Sequence, residues 1–285
     1  MASLKDLRRR IRATQSMQQI FKAMEMVAAA KLRRAQQRAQ ASTPYAAKIS
    51  EMLANLAGAA AELDLPLFRQ REVRVTVLVV VTSDRGFAGA YNTNILRAAE
   101  QRLRAMPAGS LQLVTVGRKG RDYMKRRGYP VLAAYADLPG EASFELARTL
   151  TADLSARFVG GEVDRIEVMY SHFVSALTRR VTTEVFLPVG VGTAGTVAQD
   201  RGTIFEPDAE SLFSELLPRY TSAKLYAAMA DALASEHSAR MVAMGSARKN
   251  AGELVDSLTL TRNRLRQAAI TREIAELVGG AEALK

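Results

Sequence analysis

"VRVTVLVVVT", residues 73–82, decides the fold. Valine fills six of its ten positions, and neither Gly nor Pro interrupts it. From Val77 to Val81 the run is apolar without alternation, the pattern of a strand buried on both faces of a parallel sheet. Outward from it, strand and helix patterns alternate. "NTNILRAAEQRLRAM" (92–106) reads as helix, "LQLVTVG" (111–117) as strand, "RKGRDYMKRRG" (118–128) as helix and "VLAAYADL" (131–138) as strand. "SFELARTLTADLSARF" (143–158) is again helix and "VDRIEVMYSHF" (163–173) strand. Such alternation predicts an open, mainly parallel α/β sheet of Rossmann-like type over residues 73–203. "RIEVMYSHFVSAL" and "RRVTTEVFLPV" add an antiparallel edge, and the Gly/Thr-rich 191–203 reads as loop.

Both ends of the chain change period. Residues 3–57 carry one long helical pattern that closes near Gly58, within a first segment taken as 1–58. Pro44 is expected to kink or break it. A third segment, 209–285, is helical again, with a break expected at Pro218. From Arg219 to Val278 no proline occurs, a span of roughly 90 Å if helical. Helices of this length predict coiled coil rather than a compact bundle. Joined by the α/β domain, the two can pair antiparallel. Leu254, Leu258, Leu265 and Ala269 mark the stripe facing the N-terminal helix. Ile270, Ile274 and Leu277 lie on the opposite side, and Gly279 with Gly280 is expected to end the helix.

The N-terminal helix is too apolar for a surface helix. In "QIFKAMEMVAAAKLRRAQ" (19–36), Val27, Ile20, Met24 and Ala28 hold one face. Phe21 and Leu32 extend it on one side, Ala30, Ala23 and Met26 on the other, giving an arc about 240° wide where roughly 100° suffices. Burial on several sides follows. Yet residues 1–38 carry ten Lys/Arg against Asp6 and Glu25, most of the chain's net charge of +11. A basic arm points to an acidic partner.

Several classes fall away. The chain has no cysteine, so disulfides, thiolate–zinc sites and thiol catalysis are excluded. His172 and His237 stand far apart and read as structural. No apolar run approaches a membrane span. An Arg-rich start resembles an organelle transit peptide, but the helical pattern continues past residue 40 without a break. "VTSDRGFAGAYN" (81–92) is a strand, turn and helix start that invites a phosphate-loop reading. It matches neither glycine signature of nucleotide loops. Gly86 and Gly89 are read instead as permitting a tight turn, with Asn92 capping the helix.

"MASLKDLRRRI", "KAMEMVAAAKLRRAQ", "SDRGFAGAYNTNI", "FEPDAE", "ASEHSARMVAMGSARKNAGELVDSL" and "RQAAITREIAELVGGAEAL" run in order from the first residues to the last. Together they resemble the γ subunit family of the F-type ATP synthase. The resemblance implies a central-stalk rotor subunit, itself non-catalytic and without a cofactor. It couples ion-driven rotation to ATP synthesis or hydrolysis on neighbouring β subunits. It also implies one copy per complex, peripheral at the cytoplasmic side of the cell membrane, with α and β subunits of the hexamer, the ε subunit and the membrane c-ring as partners. On the family's pattern, Arg266, Gln267 and Thr271, with Met24 and Lys22 opposite, fall at the contact with β subunits. Ile270, Ile274 and Leu277 fall in the apolar collar of the hexamer, and Phe205 and Glu206 on the c-ring. Ala88 and Ala90 stand where the family usually has Cys and Gly, so a thiol role at that turn is absent.

Two other classes compete. A basic coiled-coil nucleic-acid-binding protein would explain the charge, although the arm lacks interleaved aromatics. A nucleotide-binding α/β enzyme would explain the strand–turn–helix.

Overall fold

The computed structural model describes residues 3–55, 65–107, 109–138, 140–190 and 208–282. The chain divides into two compact units. One comprises residues 1–28 and 241–285, the other residues 29–240.

The larger unit is built on a five-stranded sheet, β1 (Thr76–Val81), β2 (Leu111–Val116), β3 (Val131–Tyr135), β4 (Arg165–Phe173) and β5 (Arg179–Leu187). Its order is β3-β2-β1-β4-β5, with β5 antiparallel to β4 and the other pairs parallel. This is a doubly wound sheet with an antiparallel edge, as the alternation predicts. β1 lies at the centre because every one of its residues is buried. Val77, Val79 and Val81 pack with Leu150, Leu154 and Phe158 of a helix at Phe144–Val159, and with Phe213, Leu225 and Met229 of the C-terminal helix. Leu78 and Val80 face the other way, onto Ile95, Leu96 and Ala99 of a helix at Tyr91–Ala105 and Met124 of one at Arg118–Arg126. One strand thus feeds two cores by its period of two. In chain order these helices are α2 (Tyr91–Ala105), α3 (Arg118–Arg126) and α4 (Phe144–Val159), between α1 (Leu4–Asn55) and α5 (Ala209–Glu282).

The terminal helices begin at side-chain caps. Ser3 Oγ accepts from the Asp6 amide at 3.1 Å, and Asp208 Oδ1 accepts from the Ser211 amide at 2.8 Å. Three expectations about their interruptions do not hold. α1 is assigned as helix without a break at Pro44. α5 runs through Pro218 as well, which lies on an exposed face beside exposed Ser214, so the carbonyl that loses its N–H partner can turn to water. α5 also continues through Gly279 and Gly280 to Glu282; glycine weakens a helix by about 1 kcal/mol without ending it. Gly58 and the 191–203 loop lie outside the described residues.

In the smaller unit the N-terminal part of α1 pairs antiparallel with the C-terminal part of α5. Along α1, Leu4, Leu7, Ile11, Thr14, Gln18, Phe21, Glu25 and Ala28 are buried or half-buried at alternating spacings of three and four. That is a heptad seam. On α5 the corresponding positions are Met244, Ala251, Val255, Leu258, Arg262, Leu265 and Ala269. Leu254 is off the seam, 48% exposed, contrary to the stripe read from the sequence. Val255 takes its place, because the seam steps 251, 255, 258 rather than 254, 258.

Candidate interaction surface

Two polar layers set the register of the seam. A Cβ on Gly252 would stand 2.9 Å from Gln18 Nε2, and one on Gly245 3.2 Å from Glu25 Oε1. Seven residues up one helix correspond to seven down the other. Arg248 Nε then donates to Glu25 Oε2 at 2.9 Å. The glycines leave room for two long polar side chains between helices. In the sequence the only trace of these layers is a pair of glycines one heptad apart, Gly245 and Gly252.

The broad apolar arc of α1 splits in two. Ala28 and Leu32 are buried, and Phe21 and Met24 half-buried. Met17, Ile20, Met26 and Val27 remain uncovered, Ile20 at 56%. Met17, Ile20, Met24 and Val27 recur at spacings of three and four and so form one stripe. Lys22 is exposed beside it. On α5, Arg266, Gln267 and Thr271 are exposed, as are Ile270, Ile274 and Leu277, the last at 74%. Glu25 pairs with Gly245 and Arg248, so Met24 lies about 20 helical residues, roughly 30 Å, from Arg266 along the pair. The two are not opposite one another, as the sequence reading had them. Phe205 and Glu206 lie outside the described residues.

The strand–turn–helix at 81–92 is closed on itself. In a doubly wound sheet, ligands enter the crevice at the carboxyl ends of the strands, where helix amides attract phosphate. Here those amides are taken. Asp84 Oδ1 accepts from the Arg118 amide at 2.6 Å and Oδ2 from the Leu138 amide at 2.5 Å. Thr82 Oγ1 accepts from the Gly120 amide at 2.9 Å, and the Ser83 carbonyl from that of Lys119 at 3.0 Å. Asp84 stands where a phosphate would, at the start of α3. Asn92 does not cap its helix, whose N-cap residue is Ala90. Instead Asn92 Oδ1 accepts from the Ser83 amide at 3.0 Å, tying α2 back to the end of β1. Of the turn glycines, Gly89 has φ 56°, and Phe87, two residues before it, takes φ 61° with its ring exposed.

Arg240 fastens this turn to α5. Its Nε and Nη2 donate to the Gly86 carbonyl at 3.3 and 3.2 Å, and Nη2 also to Glu236 Oε1 at 2.6 Å. Nη1 donates to His237 Nδ1 at 3.3 Å, which requires the neutral ring. Burial, then Arg240 and Lys31, pushes the His237 pKa down to about 4. Burial pushes Glu236 up, against the pull of Arg240. Both histidines are structural in placement: His172 Nδ1 lies 2.5 Å from Asp231 Oδ2. Among the described residues no helix is long and apolar enough to cross a membrane.

Residues 3–284 match the ATP synthase family model. The chain is 46% identical over its full length to the ATP synthase gamma chain of Desulforamulus reducens, and 45% to that of Moorella thermoacetica, each aligned over 100% of both chains. A chain of the Tetrahymena thermophila mitochondrial ATP synthase central stalk and c-ring superposes with TM-score 0.62 at 26% identity, over 80% of this chain and 99% of that one. One from the Euglena gracilis mitochondrial enzyme superposes with TM-score 0.71 at 19% identity, over 99% and 94%, which speaks for the fold. Against this background the nucleic-acid reading has no support. With its paired terminal helices, its doubly wound sheet and its full-length kinship, the chain belongs to the ATP synthase gamma chain family.

Proposed function

We propose that this chain is the non-catalytic rotor of a central stalk, coupling ion-driven rotation to nucleotide chemistry on surrounding subunits. The observation that carries the reading is the apolar face left uncovered after the two terminal helices have paired. Met17, Ile20, Met26 and Val27 on α1 and Ile270, Ile274 and Leu277 on α5 are all exposed. These are two separate apolar patches, one on each helix, and each marks a binding face. Apolar contact is non-directional. A helix pair clad in it can be held by an enclosing hexamer of α and β subunits without being fixed in angle. The filled crevice beside Asp84 supports the absence of nucleotide chemistry on this chain.

Within this reading, residues 1–58 and 209–285 supply the shaft and 73–203 the domain that meets the ε subunit and the c-ring. Lys22 and Met24 contact β subunits at one level of the shaft, and Arg266, Gln267 and Thr271 at another. Ile270, Ile274 and Leu277 sit in the collar, and Phe205 and Glu206 on the c-ring. The chain itself is peripheral, at the cytoplasmic side of the cell membrane. Reconstitution with α, β, ε and c subunits tests it. Met24→Lys places a charge on the apolar stripe and should uncouple ion pumping from ATP hydrolysis, whereas Met24→Leu should not. Equal pumping by both would remove the β contact, and failure of the chain to assemble with α and β would remove the rotor reading.

A further inference from the structure

A cavity of about 110 Å³ opens in the larger unit between α1, the loop preceding α4, and α5. Lys31, Arg34 and Arg38 line one wall, Gly140 and Glu141 the mouth, and His237 the α5 side. The three cations recur at spacings of three and four, so consecutive turns of one helix face deliver them. Ala35, Ala142, Ala230 and Leu233 supply the apolar remainder. Charge in this neighbourhood is unbalanced. Glu141 is held by Arg38 at 2.5 Å, and Glu236, close enough to Lys31 to feel its charge, is held by Arg240 at 2.6 Å. Three cations therefore line the cavity against one carboxylate, Glu141, which Arg38 already engages. Among the described residues neither Lys31 nor Arg34 has a hydrogen-bond or ion-pair partner. Gly140 lets the Lys31 ammonium approach, since a Cβ there would stand 3.5 Å from Nζ.

Two surplus cations at a half-enclosed, partly apolar hollow form a receptor for an anion. The volume admits several waters, hence a group the size of phosphate rather than a folded segment. We propose that this cavity binds a phosphate oxyanion, free or as the terminal phosphoryl group of a nucleotide, with Lys31 and Arg34 supplying the compensating charge. Arg34 offers a planar fork for two oxygens and Lys31 a point charge. The neutral His237 ring, its Nδ1 engaged by Arg240, keeps Nε2 as its donor. The cavity shares no lining residue with the crevice that Asp84 fills, although Asp84 accepts from the Leu138 amide, two residues before Gly140, and the rotor function does not require it.

Titration calorimetry of the full-length chain at constant ionic strength tests the proposal, with inorganic phosphate and then ADP against a chloride reference. Phosphate should bind saturably at one site. Lys31→Gln/Arg34→Gln should weaken it at least tenfold. Arg8→Gln/Arg12→Gln, which removes equal charge from exposed positions of α1, should change it less than twofold. In native protein the amide resonances of Gly140 and Ala142 should move with the same saturation curve, which keeps the test valid if the double variant folds poorly. ADP binding tenfold tighter than phosphate would assign the nucleotide phosphoryl group; equal binding would assign free phosphate. Absence of saturation, unmoved resonances at Gly140 and Ala142, or native affinity in Lys31→Gln/Arg34→Gln overturns the site.

Discussion

Gly117 holds the start of α3 at φ 100°, and a Cβ there would lie 2.3 Å from the Thr82 carbonyl oxygen. Left-handed backbone alone costs a non-glycine residue about 1–2 kcal/mol. The clash is with backbone and has no side chain to rotate away. Gly117→Ala should therefore cost at least about 3 kcal/mol in urea unfolding. Gly109, at φ 83° with open space around it, should cost only about 1 kcal/mol on the same change. His237 supplies a second test. Its folded pKa of about 4 lies below the ordinary value of 6.5, so the unfolded chain binds the extra proton first. Stability is then unaffected by this ring above pH 6.5 and falls as pH drops from 6.5 toward 4, by about 2–3 kcal/mol at most. His237→Gln should flatten that slope in thermal melts between pH 7 and 4.5; an unchanged slope would assign it to other groups. Asp84 was legible in the sequence only as a member of a turn, and Gly117 only as the end of a strand. Their roles depend on strands more than 30 residues away, which no local spacing encodes.

Elements were more legible than contacts. Each strand and helix of the α/β region stands where its period placed it, because burial on one or both faces writes itself into the local pattern. The antiparallel edge β5 followed from the same logic. The seam of the helix pair was half legible. Leu258, Leu265 and Ala269 lie on it, but Leu254 does not, since a stripe drawn at the spacing of a lone helix drifts from one drawn at the 3.5 of a coiled coil. Pro218 and Gly279 were read as punctuation, although tertiary packing and water satisfy what they remove. The corrected seam makes a distinction that can be measured. Ile11 is buried at 5% and Leu254 exposed at 48%. Ile11→Ala should destabilise the helix pair by about 2–4 kcal/mol and Leu254→Ala by no more than about 0.5 kcal/mol. Hydrogen exchange along residues 4–28 and 241–266 reads both. Comparable losses would restore Leu254 to the seam.

At the scale of the whole molecule, the apolar surface that the chain cannot cover for itself is the last thing to account for. The polar layers Gln18–Gly252 and Glu25–Gly245 fix which turns of α1 and α5 face one another. Followed to the start of α1 at Leu4, that register reaches α5 near Arg266. Beyond it Ile270, Ile274 and Leu277 have no helix of their own chain to pack on, and all three are exposed. A long charged helix end would manage without three large aliphatic side chains. Their presence is explained if an enclosing apolar collar covers them, at ~1.5–3 kcal/mol per side chain. Such contact holds position without choosing an angle, as a bearing must. Deleting residues 274–285 should then lower the stability of the assembled complex while leaving substantial rotary ATPase activity. In hydrogen exchange, amides 270–278 should exchange fast in the free chain, where the end of α5 frays, and slowly in the complex. Equal protection in the two states would mean that this segment packs on its own chain, and the bearing would have to be sought elsewhere on the helix pair.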